Sequence, residues 1–370
     1  MDGSGLFCQR GCTAFPTPYL LATPCNINLG KSHNVTQSIT ALTPALFVSL
    51  FMGLPLAAQC VPADMRTTLS DAERLAVQQE VADIPYGVGR AFEATRGDAS
   101  LFLFGTFHSE AAGDMPAALT SAIANADRVF VEVTAADNAA FQEQMQRDPS
   151  IIMDLDGPGL QQDLTEQDWA ALSEALRPLG IQPQIADTLQ PWFAATMVSI
   201  PLCEVQQQAR GGQPIDAKIE VEATALGKPV LGLETVEETF AVFAGISREA
   251  QVDFLRLELS DTDTSGAIFM TLAKQYTEGR IAEIQALSNV LAARDIPMEQ
   301  VNAMNDVLLE PLLNQRNRNW LPAIVDAGRE GSAVIAVGAL HLGGEDGLLR
   351  LLEGEGFDIT RIELDGEVRE

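Results

Sequence analysis

Apolar residues along this chain follow two rhythms. Short apolar runs at 101–104 (LFLF), 129–133 (VFVEV), 229–233 (PVLGL), 334–337 (VIAV) and 359–364 (ITRIEL) predict buried strands. Helical spacing predicts helices over 69–82, 115–126, 268–291, 307–327 and 347–353, and Pro191 opens a further one. Asp114 before Pro116 reads as an N-cap, Thr165-Glu166-Gln167-Asp168 as a capping box, and Gly354 and Gly356 as a helix stop. The two ends of the chain share one order: strand, G-x-x-H, helix, strand. Between them the pattern is mainly helical. This predicts an α/β domain with a mostly parallel central sheet, spanning 86–370, with helical insertions at about 140–215 and 240–325. Residues 61–85 read as a linker with some helix. The strand order is not legible from the pattern.

The first 60 residues differ from the rest. No charged residue stands between Lys31 and Asp64, and 45–56 (ALFVSLFMGLPL) has the length of a signal-peptide apolar region, short of a membrane span. Small residues Ala57 and Ala58 follow, so an exported chain, periplasmic or secreted, is expected, with an uncleaved anchor as the alternative. Cys60 adds a lipid-anchor alternative, although Gln59 stands where a small residue is expected. In the mature chain a Cys60–Cys203 disulfide is open, since sequence cannot bring the two within reach.

Charge narrows the partners. The chain has 370 residues, 23 basic and 51 acidic, for a formal net charge of -28. With no run of Lys and Arg, nucleic acid and anionic membrane surfaces are disfavoured. Five cysteines without a C-x-x-C pair argue against a structural zinc site.

Two histidines lie beyond the leader, His108 and His341, each three residues after a glycine (Gly105, Gly338) at the end of a strand. Glycine there would let the backbone turn sharply and carry the imidazole over the sheet edge, where open α/β sheets bind ligands. Glu132 interrupts one apolar run and Glu234 ends another, a costly placement unless the acid is paired or functional. Two imidazoles and two carboxylates from separate strand ends suit a divalent cation, with His108, His341, Glu132 and Glu234 as ligands or Glu132 as base for a bound water. Arg316 and Asn317 could supply donors to a carbonyl oxygen or substrate carboxylate. Each has a plainer reading too. The histidines could be satisfied by backbone carbonyls, the glutamates could pair with Arg or cap helices, and Asp216, a weaker site candidate, reads as an N-cap for 217–226. Trp169, Trp192 and Trp320 read as core.

The ordered strings LFLFGTFH, VFVEV, GKPVLGLET, Arg316-Asn317 with Trp320, and VGALHLGGEDGL resemble the TraB/GumN family, related to the Tiki metallopeptidases, over roughly 80–368. The resemblance implies an α/β core like that of erythromycin-esterase and ChaN-like proteins. It implies His108, Glu132 and His341 as the leading site residues, followed by Glu234, Arg316 and Asn317, and a Mn- or Co-dependent peptidase acting on a peptide or other small substrate. The helical middle and the leader depart from the Tiki pattern. A non-enzymatic binder of haem, metal or peptide and a metal-free esterase-like hydrolase are the competing expectations.

Overall fold

The computed structural model describes Cys60, residues 64–260 and residues 264–369. Apart from Cys60, the expected leader lies outside the described residues. Among the described residues no helix is long and apolar enough to cross a membrane.

Six strands form one sheet: β1 (Ala91–Arg96), β2 (Ala99–Thr106), β3 (Arg128–Val131), β4 (Val230–Gly232), β5 (Ser332–Gly338) and β6 (Asp358–Ile362), in the order β4-β3-β5-β2-β1-β6. The pairs β4/β3, β3/β5 and β5/β2 are parallel, whereas β1 runs antiparallel to both β2 and β6. β6 therefore points the same way as β2 to β5, and β1 alone is reversed. β1 was not expected. It forms a hairpin with β2 through Gly97 and Asp98, with Gly97 at φ 61°, a turn that glycine enters without a Cβ penalty.

The alternation along the strands sorts the core. Leu101, Leu103, Ala333, Ile335 and Phe130 pack with Trp320 and Ile324 on one face. Phe104, Val129, Val131, Val334 and Ala336 pack with Leu119, Ile123, Ile215 and Ile219 on the other. Helices Gln315–Arg329 and Leu348–Gly354 thus cover one side, and Ala117–Asn125 and Ile215–Ala225 cover the other. The helical middle builds a separate core from both insertions, with Leu160, Leu172, Leu176 and Met197 packed against Val252, Leu255 and Leu259.

Several boundaries differ from expectation, each for a local reason. Helix Ala117–Asn125 starts after Pro116 with no side-chain cap, and Asp114 pairs instead with Lys218 at 3.5 Å. The expected 268–291 helix is two, Ser265–Thr277 and Ile281–Ala292, because Gly279 at φ 71° ends the first turn-wise. The 307–327 helix is interrupted by one π-helical turn, Glu310–Asn314, where Pro311 has no N–H to donate. The chain before β1 is helical and docked: Asp71–Val81, opened by a Ser70/Glu73 capping box, packs Val77 against Leu287, Val290 and Leu291.

Cys60 and Cys203 are joined by a disulfide, Cα to Cα 5.1 Å, across a sequence separation of 143. It ties the start of the described chain to helix Leu202–Ala209. Reducing it is expected to lower stability by about 2–4 kcal/mol, since the unfolded chain regains the freedom of a long loop. Urea unfolding with and without dithiothreitol would show this as a lower midpoint, and identical midpoints would refute a bridge formed in solution.

Candidate functional site at the carboxyl edge of the sheet

Four parallel strands end at one edge, and the candidate residues follow them: His108 after β2, Glu132 after β3, Glu234 after β4 and His341 after β5. β5 lies between β2 and β3, so His341 emerges between His108 and Glu132. The π-turn sets the approach of the next helix, whose inner face presents Arg316, Asn317 and Trp320 to this edge.

The glycines serve the site by close approach, not by the turn expected of them. Neither has a positive φ; Gly338 sits at φ -50°, ψ 136°. A Cβ on Gly105 would lie 2.8 Å from the Ala339 Cα. A Cβ on Gly338 would lie 3.2 Å from Glu132 Oε1, 3.5 Å from His341 Cδ2 and 3.6 Å from His108 Nε2. Gly338 is thus the floor of a small space ringed by both imidazoles and a carboxylate. Gly338→Ala is expected to keep the fold, because its φ and ψ suit alanine, while displacing Glu132 and lowering function at the site about ten-fold or more. Activity and a thermal melt on the same protein would check it, and full activity would contradict this geometry.

Glu132 is held on both oxygens. Oε1 accepts the Gly338 N–H at 2.6 Å and Oε2 accepts Arg316 Nη2 at 2.7 Å. Burial works against its ionisation, but His341 (protonated only at the low pH where this carboxyl titrates), the charges of His108 and Arg316 and the Gly338 N–H outweigh it, holding the carboxyl at about 2. Glu234 Oε1 accepts Arg316 Nη2 at 2.6 Å and Thr239 Oγ1 at 2.7 Å, and its Oε2 accepts Trp320 Nε1 at 3.1 Å. Glu234, expected also as a metal ligand, is therefore committed to holding Arg316.

Arg316 is saturated. Nε bonds Glu234, Nη2 bonds both glutamates, and Nη1 bonds the Leu312 carbonyl at 2.9 Å and reaches His341 Nε2 at 3.2 Å. Its guanidinium also lies 4.6 Å from the Trp320 ring centroid. It has no donor left over for the substrate oxygen expected of it unless one of these bonds is exchanged.

The histidines differ in state. Asn317 Nδ2 donates to the His341 and Asp346 carbonyls, which leaves its Oδ1 to accept from His341 Nδ1 at 2.7 Å. His341 therefore carries its proton on Nδ1 and a lone pair on Nε2 toward Arg316 and Glu132, whose Oε1 is 3.9 Å away. Burial, opposed by Glu132 and aided by Arg316 and His108, holds it at about 3, a neutral imidazole. Asn317, expected to face substrate, is instead buried and fixes this tautomer. His108 is half exposed, and its Nδ1 lies 2.9 Å from Asp216 Oδ2. The Asp216 carboxylate, with Glu132 adding to it, lifts it above the ordinary imidazole value to about 9, so it is an imidazolium at neutral pH. Asp216 is not the N-cap expected: helix Ile215–Ala225 starts two residues earlier, with Pro214 at its cap, and turns Asp216 to His108.

A divalent cation is tested by these donors. Each imidazole has Nδ1 tied to an oxygen and Nε2 left on the Glu132 side, the second-sphere arrangement that orients histidine ligands. In the present arrangement Arg316 takes the His341 lone pair, and among the described residues no three His, Cys, Asp or Glu side chains form a ready-made metal cage. The donor types and the His341 tautomer fit a cation; binding would require Arg316 to release His341 and His108 to lose a proton.

The TraB/PrgY/gumN family model matches residues 91–361, which runs from β1 to β6 and includes every residue of this cluster. The chain belongs to the TraB/PrgY/gumN family. It is similar to the Escherichia coli (strain K12) protein "Uncharacterized protein YbaP", 27% identical over 262 residues, covering 69% of this chain and 89% of the relative. The Shigella flexneri YbaP matches over the same length at the same identity. No solved structure matches. For this TraB/PrgY/gumN chain, the sequence points to the clustered side chains other than Thr239, and to neither the backbone N–H of Gly338 nor the Leu312 carbonyl. A threonine five residues after Glu234, one helical turn into the following helix, is the signal that could have found Thr239.

Proposed function

We propose that this chain is an exported hydrolase of peptide bonds that uses a divalent cation, Mn or Co by the family resemblance, held by His108 and His341 with Glu132 beside it. The observation that carries the reading is the closing of two Nδ1-anchored imidazoles on Glu132 over a glycine floor. A bound cation would supply a water made acidic enough to deprotonate near neutral pH and a pull on the scissile carbonyl. That supply matters here, since Glu132 at about 2 is a weak base for ordinary water.

The chain's own residues divide the remaining work. Glu132 accepts the proton of the attacking water on Oε1, the oxygen over Gly338. Asp216 and Asn317 hold the two imidazoles in place through Nδ1. Glu234, Trp320 and Thr239 keep Arg316 beside Glu132, where its charge holds the carboxylate ionised. His108, at the open side of the site, has to give up its proton before Nε2 can act as a ligand, so cation binding at neutral pH releases a proton.

A cation-free hydrolase is the second reading, favoured by Arg316 lying on His341 Nε2 where a cation would be. In it the His108 imidazolium donates to the substrate oxygen and Glu132 takes the water's proton. Peptide hydrolysis after exhaustive chelation separates the two. Activity lost and then restored by Mn or Co supports the first; undiminished activity overturns it in favour of the second. Export is supported by the Cys60–Cys203 disulfide, which suits an oxidising compartment. A sulfur in that bridge cannot also carry a lipid, so the disulfide and a Cys60 lipid anchor are exclusive.

A further inference from the structure

A cavity of about 400 Å³ lies in the helical middle, in the size range of small-ligand sites. Its walls come from two helices that leave the candidate site directly. Ala135–Arg147 follows Glu132 and contributes Phe141 and Gln144; Val236–Gly245 follows Glu234 and contributes Phe240, Ala241 and Ala244. The far wall is Trp192. The rings form one aromatic cluster, with Phe240 4.6 Å from Phe141 and 5.1 Å from Trp192, centroid to centroid. Phe141 and Trp192 are buried, whereas Phe240 is only partly covered and Ala241 and Ala244 are exposed. An apolar concavity thus faces outward, with the amide-bearing Gln144 and Gln190 among its lining.

We propose that this cavity is a specificity subsite that receives an aromatic side chain of a peptide substrate. The inference rests on the hydrolytic reading of the carboxyl-edge site and adds the substrate class. Three observations support it. First, the volume takes one aromatic side chain with room to spare. Second, the lining combines ring faces with the amides of Gln144 and Gln190 and the Glu237 carboxylate, donors and acceptors that suit an aromatic side chain on a chain of peptide groups. Third, the distance fits: two extended residues at about 3.3 Å and four helical ones at about 1.5 Å put Phe240 at most roughly 13 Å along the chain from Glu234. An extended peptide covers that span in about three to four residues at ~3.4 Å each. A substrate bound at Glu132 and running along these two helices would place a side chain a few residues from the scissile bond in the cavity.

The test uses the full chain carrying Glu132→Gln, so that bound peptide is not turned over. Acetylated tetra-alanine amide and its four single-phenylalanine variants are titrated by calorimetry. Burial of one aromatic ring should make at least one phenylalanine peptide bind on the order of ten- to a hundred-fold tighter than the alanine parent. Ala244→Phe and Ala241→Phe, each at an exposed position, fill the cavity without disturbing a packed core and should abolish that preference. Equal binding of all five peptides, no binding of any, or a preference that survives both filling variants would overturn the subsite. Hydrolysis by the wild-type chain is scored separately. Tight phenylalanine-dependent binding with no hydrolysis would sink the hydrolase reading and leave the cavity as a peptide site, while hydrolysis indifferent to phenylalanine would sink the subsite alone.

Discussion

Arg316→Met is expected to cost about 3–5 kcal/mol of folding stability, the largest loss of any single substitution at the site. Glu132 and Glu234 side chains are 16% and 7% exposed, and this one guanidinium bonds both. Its removal leaves two carboxylates in a poorly solvated place, where each must either stay charged at high cost or take up a proton. Adding Glu234→Gln to Arg316→Met removes one of the two stranded charges and should recover part of the loss. Arg316→Lys should fall between, because an ammonium on a flexible stem cannot span Glu132, Glu234 and the Leu312 carbonyl at once. Urea unfolding of the three proteins reads this directly. A loss below about 1 kcal/mol for Arg316→Met would mean that the buried cluster does not form as described.

For Glu132→Gln the expected effect is on turnover, about 10²- to 10⁴-fold lower, with the fold retained. The single amide oxygen keeps one of the two bonds, to the Gly338 N–H or to Arg316 Nη2, and the NH2 turns to the other donor, so one hydrogen bond is lost along with the base while the side chain keeps its shape. A pH effect accompanies it. The folded-state value of Glu132 is about 2, below the ordinary 4.5, so its ionised form favours the folded state. That contribution is fully present above about pH 4.5 and disappears as the pH falls through about 2. Glu132→Gln should therefore flatten part of the acid limb of the stability curve between those values. Unchanged turnover in a folded Glu132→Gln protein would remove Glu132 from the chemistry.

Much of the site was legible because its parts sit at element ends, where sequence is punctuated. A glycine three residues before each of two histidines, an acid inside an apolar run, and an Arg-Asn pair one turn ahead of Trp320 are all local signals. What they do to one another was not. Asp216 lies 108 positions from His108, and only the packing of helix Ile215–Ala225 on the sheet brings the pair together. The spacing predicts Asn317 and Glu234 facing substrate or metal, yet Asn317 spends its hydrogen bonds on two backbone carbonyls and His341, and Glu234 on Arg316, Thr239 and Trp320, a matter of three-dimensional saturation that spacing does not encode. The G-x-x-H glycines point to a turn but are needed for close approach, Gly105 to the turn at Ala339 and Gly338 to the Glu132 and histidine side chains, since only the assembled sheet shows what a Cβ would strike. In the fold, the apolar runs mark five of the six strands, but β4 and β6 lie at the sheet edges and are only partly buried; the AFEATR run of β1 is short and half polar, and the π-turn at Pro311 is hidden inside an unbroken helical pattern.

The most direct test of the proposed site is Mn and Co binding to the full-length chain, measured by calorimetry near neutral pH in buffers of different ionisation enthalpy. One cation per chain, bound with release of a proton and lost in both His108→Ala and His341→Ala, is the expected result. A wild-type chain that binds neither cation at any physiological concentration, or binding that persists in both variants, would contradict a cation site built on these two histidines.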